Sequence, residues 1–207
     1  MILRIVFPTV YLIAFTAFAQ RPADDPQAAF NKAVADFQRG RVVESAAGFD
    51  KVAKLAPDYA PQLWQRGIAL YYAGRYQDCR AQFESHRTVN PADVENAAWH
   101  FLCVARAETP AKAKAALLPV GPDSRVPMRQ IYQMFKGEIR PEQMLASAGT
   151  TQEAQFYAHL YAGLFFEATG NRDRARAEIT TAADQYTVGG YMHDVAVVHR
   201  DILLRSK

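Results

Sequence analysis

The sequence predicts an all-α chain, a stack of helical hairpins with a degenerate central unit and a C-terminal capping helix. Three observations lead there. Shifting the chain on itself by 34 residues places Gly74 on Gly40, Tyr76 on Val42, Phe83 on Phe49, Pro91 on Pro57 and Gly67 on Ala33, so small, apolar, aromatic and imino positions recur in one register. The small positions return from residue 156 onward, as Gly163, Gly170, Ala175 and Ala182. Between these stretches Met128, Ile131, Tyr132 and Phe135 keep the spacing of one helix face.

Taken in chain order, residues 1–19 read as an export signal. Arg4 is the only charge before an apolar run from Ile5 to Phe18, and Ala17-Phe18-Ala19 offers small residues at the positions a signal peptidase reads, so cleavage between Ala19 and Gln20 is expected. The run is about 14 residues long, contains Pro8, and falls short of the roughly 20 needed to span a bilayer. No cysteine follows the cut, so no stable membrane anchor is expected after cleavage, and the product should be periplasmic or secreted. Residues 20–25 then form a flexible mature N-terminus, and 26–207 the helical domain.

Two hairpins are expected at about 26–59 and 60–93. Gly40 and Gly74 end the first helix of each, where the left-handed backbone is open to glycine without a side-chain penalty. Ala33 and Gly67 are small so that the paired helices approach closely, Phe49 and Phe83 fill the space between them, and Pro57 and Pro91 stop the second helix. Residues 94–118 form a degenerate unit, with Phe101 where a small residue belongs and Pro110 opening its second helix. The proline-broken connection 119–151 predicts short helices around 127–136 and 141–148, packed on the stack. A further hairpin covers 156–187, and a lone amphipathic helix at 190–205 caps the exposed end of the stack.

The 34-residue period and the G…A-x3-F…P skeleton resemble the tetratricopeptide repeat (TPR), with Ser45 and Cys79 where the family places a small alanine. "WQRGIALYY", "PMRQIYQMFKG" and "FYAHLYAGLFFE" together resemble short exported or lumenal TPR proteins over residues 58–204, which implies no particular activity. Lipid-anchored envelope adaptors that dock hydrolases and proteases are similar in size and repeat content, but this chain lacks their anchoring cysteine. It also departs from TPR proteins that clamp a C-terminal carboxylate: their Lys and Asn positions are held here by Phe30, Val34, Trp64 and Ile68.

The formal net charge of +3 falls by one when Arg4 is removed, and basic residues alternate with acidic ones, as in "GNRDRARAE". Nucleic-acid binding needs a sustained basic stripe, so no nucleic-acid partner is expected. Cys79 and Cys103 fall on elements that neighbour each other in a stack, which leaves two readings, a disulfide or two small buried residues. The chain has no G-x-S-x-G, P-loop, H-E-x-x-H or C-x-x-C motif. His193, Asp194, His199 and Asp201 cluster in sequence, but His193 and His199 lie about 120° apart around a helix and do not share a metal readily. Asp123, Arg125 and Arg129 read more simply as a loop ion pair than as a site. No catalysis and no cofactor are expected.

What remains is the concave face of the stack, which by register receives Phe30, Val34 and Phe37, then Trp64, Ile68, Tyr71 and Tyr72, then Tyr157, Leu160 and Leu164. Of these, Phe30, Phe37, Trp64, Ile68, Tyr71, Tyr72 and Tyr157 are the expected partner-binding residues. The expected function is an exported adaptor that binds a protein or peptide segment through aromatic anchors. Two alternatives stay open. One is a structural subunit whose groove is filled by its own chain, by 119–151 or the terminal helix, or by a second copy. The other is an enzyme using the 123–129 loop or the C-terminal His/Asp cluster.

Overall fold

The computed structural model describes residues 25–205; the expected signal segment 1–19, its Ala19–Gln20 cleavage point and most of the segment 20–25 lie outside them. Among the described residues all regular structure is helical. The first pair is α1 (Pro26–Gln38) with α2 (Val42–Leu55), followed by a 3-10 segment (Pro57–Gln62) and a second pair, α3 (Trp64–Tyr72) with α4 (Tyr76–His86). Next come α5 (Val94–Ala107) with the short α6 (Pro110–Ala115), then α7 (Met128–Lys136) and α8 (Pro141–Ala146). The chain ends with the pair α9 (Gln152–Ala168) and α10 (Arg172–Gln185), and then α11 (Tyr191–Arg205). Most helices pack on their neighbours in the chain; beyond that, α7 packs on α5 and α9, α5 on α9, and α11 returns to α1. None of the described helices is long and apolar enough to cross a membrane.

Local chemistry sets where the helices begin and turn. Asp25 caps α1 by accepting from the Gln27 amide at 2.9 Å, and Pro26 occupies the first helical position, where its missing N–H is no loss. Gly40 and Gly74 adopt φ of 71° and 75°. There the amides of Arg41 and Arg75 reach back to Asp36 and Leu70 carbonyls at 2.9 Å, satisfying orphan acceptors while the chain reverses. Proline is a looser boundary. Pro57 follows the end of α2 closely, but α4 ends at His86, a turn before Pro91.

Small residues decide how closely the paired helices approach. A Cβ on Gly67 would stand 2.6 Å from the Phe83 ring, and one on Gly163 would stand 2.6 Å from Ile179. Gly48 and Ala33 meet in the first pair with the same economy, and there the Ser45 hydroxyl donates to the Ala33 carbonyl at 2.8 Å. Between α4 and α5, Cys79 and Cys103 form a disulfide with Cα atoms 5.8 Å apart, so the bridged reading of the two cysteines holds. Both are fully buried.

The central unit is irregular for a visible reason. Phe101, bulky where the other units are small, projects toward the connection and meets Phe135 edge-on with ring centres 5.1 Å apart. Met128, Ile131, Met134 and Phe135 of α7 are all buried, so α7 supplies cover over α5 that the six-residue α6 is too short to give. The inner face of α7 is therefore core, while most of the connection around it is exposed or half-buried.

Phe83 tests this packing. It is 1 % exposed and sits over Gly67. Phe83→Ala should lower stability by about 3 to 5 kcal/mol, read as a shift of the urea midpoint at constant m-value. An unmoved midpoint would contradict the pairing of α3 with α4 through this ring.

Candidate functional site

α11 determines the fate of the expected aromatic face. Tyr191 at its start stacks on Phe37 of α1 with ring centres 5.0 Å apart and meets Trp64 of α3 edge-on at 5.4 Å. One side of α11 is thereby laid along the rings that register assigns to the concave face. Phe37 and Ile68 are fully buried, and Tyr71 is 5 % exposed within a ring cluster of Tyr72, Tyr76 and Trp99. These three residues are core, which corrects the expectation that they face a partner: Tyr191 of the terminal helix covers Phe37, and Tyr72, Tyr76 and Trp99 enclose Tyr71. Tyr72 is half-buried and bonded through its hydroxyl to His199 Nδ1 of α11 at 2.8 Å. Phe30 is half-buried, packs edge-on against Phe49, and borders a separate depression with Pro26, Val52 and Tyr59.

Trp64 and Tyr157 differ from these. Both remain half-buried and both line a pocket of about 340 Å³ enclosed by α3, α4, α5, α9, the connection and the loop before α11. Phe83, Trp99 and Tyr191 add aromatic wall, His86, Asp93, Glu95, Asn96 and Arg125 add polar wall, and Gly189 and Gly190 border it from the loop. Spacing along α5 explains the contribution of that helix: Asn96 and Trp99 are three residues apart and share a face, with Asp93 and Glu95 at the helix start.

The polar wall is organised around one guanidinium. Arg125 donates to Asp93 Oδ1 at 2.6 Å, Glu95 Oε1 at 2.6 Å, and both Asp123 oxygens at 3.0 and 2.7 Å. The loop pair Asp123–Arg125 seen in sequence is thus half of a cluster that ties the connection to the first turn of α5; Arg129 stays exposed and outside it. Hydrogen bonding to Asp123 raises the Arg125 pKa, so this cation stays charged. Burial pushes Asp123 upward, but hydrogen bonds from Arg125 and from the amides of Arg125 and Val94 outweigh it and hold the carboxyl below its usual range. Glu95 goes the other way: burial, then the charge of Asp93, raises it against the pull of the Tyr161 hydroxyl, which donates to Oε2 at 2.7 Å, and of Arg125.

Three side chains of the wall carry buried polar atoms with no hydrogen-bond partner: Asn96 Oδ1, Trp99 Nε1 and the Tyr191 hydroxyl. Asn96 is 3 % exposed and Trp99 1 %. Orphaned groups of this kind are uncommon in a folded interior, where a protein group or an ordered water satisfies them. Sequence reasoning passed over Asn96, Trp99, Asp93, Glu95 and Tyr191. The available signal was Asn96 inside the apolar run "VENAAWHF", where a polar side chain three residues before a tryptophan falls on its face.

The C-terminal cluster does not assemble. Asp194 accepts from Gln38 at 2.9 Å, Asp201 pairs with Arg200 at 2.8 Å, and His193 packs beside the Phe156 ring. His199 faces another way, buried between Tyr72 and Glu167, whose Oε2 lies 3.4 Å from Nε2 without hydrogen-bond alignment. Among the described residues no group of three or more His, Cys, Asp or Glu could hold a metal ion.

Burial lowers the His199 pKa below its ordinary 6.5, with Glu167 opposing and Arg106 assisting. Folded His199 therefore takes up a proton less readily than the unfolded chain. Stability present above pH 6.5 is lost as pH falls from there toward the folded pKa, by up to about 1.4 kcal/mol per pH unit. His199→Asn, which keeps a polar partner for Tyr72, should flatten the stability profile between pH 7 and 5 relative to the parent. Glu95, raised by burial, contributes with opposite sign but equally in both proteins. Parallel profiles from chemical denaturation would contradict a neutral buried His199. Compared with known proteins, the chain matches no family model and no curated protein.

Proposed function

We propose that the protein is an exported, TPR-like helical adaptor that performs no catalysis and receives a segment of a protein partner in the pocket between α3, α5, α9 and the loop before α11. The observation that carries this is the pocket's make-up: about 340 Å³, lined by Trp64, Trp99, Tyr157 and Tyr191, with three buried polar atoms left unpartnered. That size suits one or two side chains, so the partner docks by an anchor and does not lie along the whole face. Repeated hairpin turns at Gly40 and Gly74 and the close pairs Gly67–Phe83 and Gly163–Ile179 support the TPR-like description. The Cys79–Cys103 disulfide supports an oxidising compartment, in keeping with export. Against an enzyme at the 123–129 loop stands the engagement of its acids: Asp93, Glu95 and Asp123 all bind one guanidinium, and both oxygens of Glu95 are occupied. A general acid or base needs reach toward a reacting proton.

One observation favours a second reading. With Phe37, Ile68 and Tyr71 buried, and Tyr191 and His199 of the chain's own α11 set against Phe37 and Tyr72, the groove is largely self-filled, as a structural subunit or a homo-oligomer would have it.

A photo-reactive phenylalanine analogue placed at Tyr157 in the full chain, in its native cell, decides between them. The adaptor reading expects a discrete adduct with another protein, absent when the probe stands at the exposed Leu204, and weakened by Trp64→Ala by about 2 kcal/mol or more in apparent affinity. No adduct, or one with the mass of two copies of this chain, would overturn it in favour of the structural reading.

A further inference from the structure

α11 supplies part of the pocket wall through Tyr191 and Met192, so whatever seats α11 also shapes the pocket. At its start the helix is held by rings, Tyr191 against Phe37 and Trp64. Two turns further on it is held to α3 by one polar contact, His199 Nδ1 with the Tyr72 hydroxyl at 2.8 Å. The other polar ties of α11 run elsewhere: Asp194 accepts from Gln38 of α1, Arg200 pairs with Asp184 of α10 and with Asp201, and Arg176 of α10 donates to the Leu203 carbonyl.

His199 is 2 % exposed. The charged groups that act on it are Glu167 of α9 and Arg106 of α5, while α1 and α10 engage theirs in the ties just named. Glu167 Oε2 stands opposite Nε2, which favours the tautomer with its proton on Nε2 and leaves Nδ1 to accept from Tyr72. A second proton upsets two balances at once. Nδ1 becomes a donor, and the Tyr72 hydroxyl, ringed by Phe37, Tyr71 and Trp99, has no other acceptor among the described residues for its own hydrogen. With His199 neutral, Glu167 and Arg106 balance each other 3.6 Å apart; an imidazolium sets a second cation against that one carboxylate, with which it is not aligned, in a place closed to water. Both costs disappear if α11 lifts off α3 and the ring is hydrated.

We propose that protonation of His199 releases α11 from α3 and α1, so that the pocket is assembled at neutral pH and taken apart in acid. The pKa of the seated imidazole, lowered by burial, agrees: the released ring titrates near the ordinary 6.5, so acid favours the released form. That the release regulates docking rests on the adaptor reading; the release itself does not.

Hydrogen exchange of the full chain at pH 7 and pH 5, with each rate referred to that of an unstructured peptide at the same pH, reads the release. At pH 7 residues 195–203 should be protected like α9, and at pH 5 their protection should fall about tenfold relative to α9. His199→Asn should remove the difference between the two pH values, whatever its protection at pH 7. Glu167→Gln, which keeps the imidazole, should retain the acid-induced loss; its disappearance there would move the trigger to Glu167 and overturn the proposal. Equal protection of α11 at both pH values in the parent, or loss of α9 together with α11, would overturn it as well. In permeabilised native cells carrying the photo-reactive probe at Tyr157, an adduct present at pH 7 should fade at pH 5, and its persistence would overturn the coupling of α11 to the pocket. Absence of an adduct at pH 7 would sink the adaptor reading instead, with the exchange data still deciding the release.

Discussion

The seating of α11 against α1 and α3 is the contact on which the rest of the structure depends. Without it, Phe37, Trp64 and Tyr72 would lose the cover of Tyr191 and His199 and widen the exposed aromatic surface. With it, Tyr191 covers Phe37 and Trp64, and His199 reaches the Tyr72 hydroxyl. The cost is an imidazole held neutral in the interior beside Glu167. The gain is a covered ring cluster, and at the N-terminal end of α11 a loop, Gly189–Gly190, that borders the pocket of Trp64 and Tyr157.

A second constraint holds the opposite wall. Arg125 lies on the connection, yet its partners Asp93 and Glu95 lie on α5 and Tyr161, bonded to Glu95, lies on α9. This network fixes three elements that no hairpin turn joins. Arg125 is 44 % exposed in its side chain while Asp123 is 6 % and Glu95 13 %, so the acids are desolvated more than the base. That imbalance follows from the chain geometry: Glu95 sits in the first turn of a helix that must pack, and the arginine reaches in from a surface loop.

The helical class and the pairing of neighbours were legible in the sequence because they are local. Gly40 and Gly74 act through their own backbone, and Gly67 through a ring sixteen residues away in the same hairpin. The cap was legible too, since α11 packs mainly on α10; its additional return to α1 was one of two open readings. Periodicity gives the apolar arc of the helix, Met192, Val195, Ala196, Val198, His199 and Leu203, but not which surfaces that arc covers, and a cap of the last pair and a helix folded back on the first pair present similar arcs. His199 belongs to that arc, with the Tyr72 hydroxyl as its partner. Hence Trp64 and Tyr157 were placed at an accessible site and Phe37, Ile68 and Tyr71 were not. Asp93 and Glu95 escaped notice because acids at a helix N-terminus already have an ordinary role as caps, which Asp93 also fills by accepting from the Glu95 amide at 3.0 Å.

Native-state hydrogen exchange on the full chain tests the closing of the face by α11 most directly. If α11 is seated as described, the amides of residues 195–203 exchange as slowly as those of α3 and α9, because they open only with the core. Exchange of α11 at the rate of a free helical tail, with α3 and α9 still protected, would contradict the account and leave the aromatic face open.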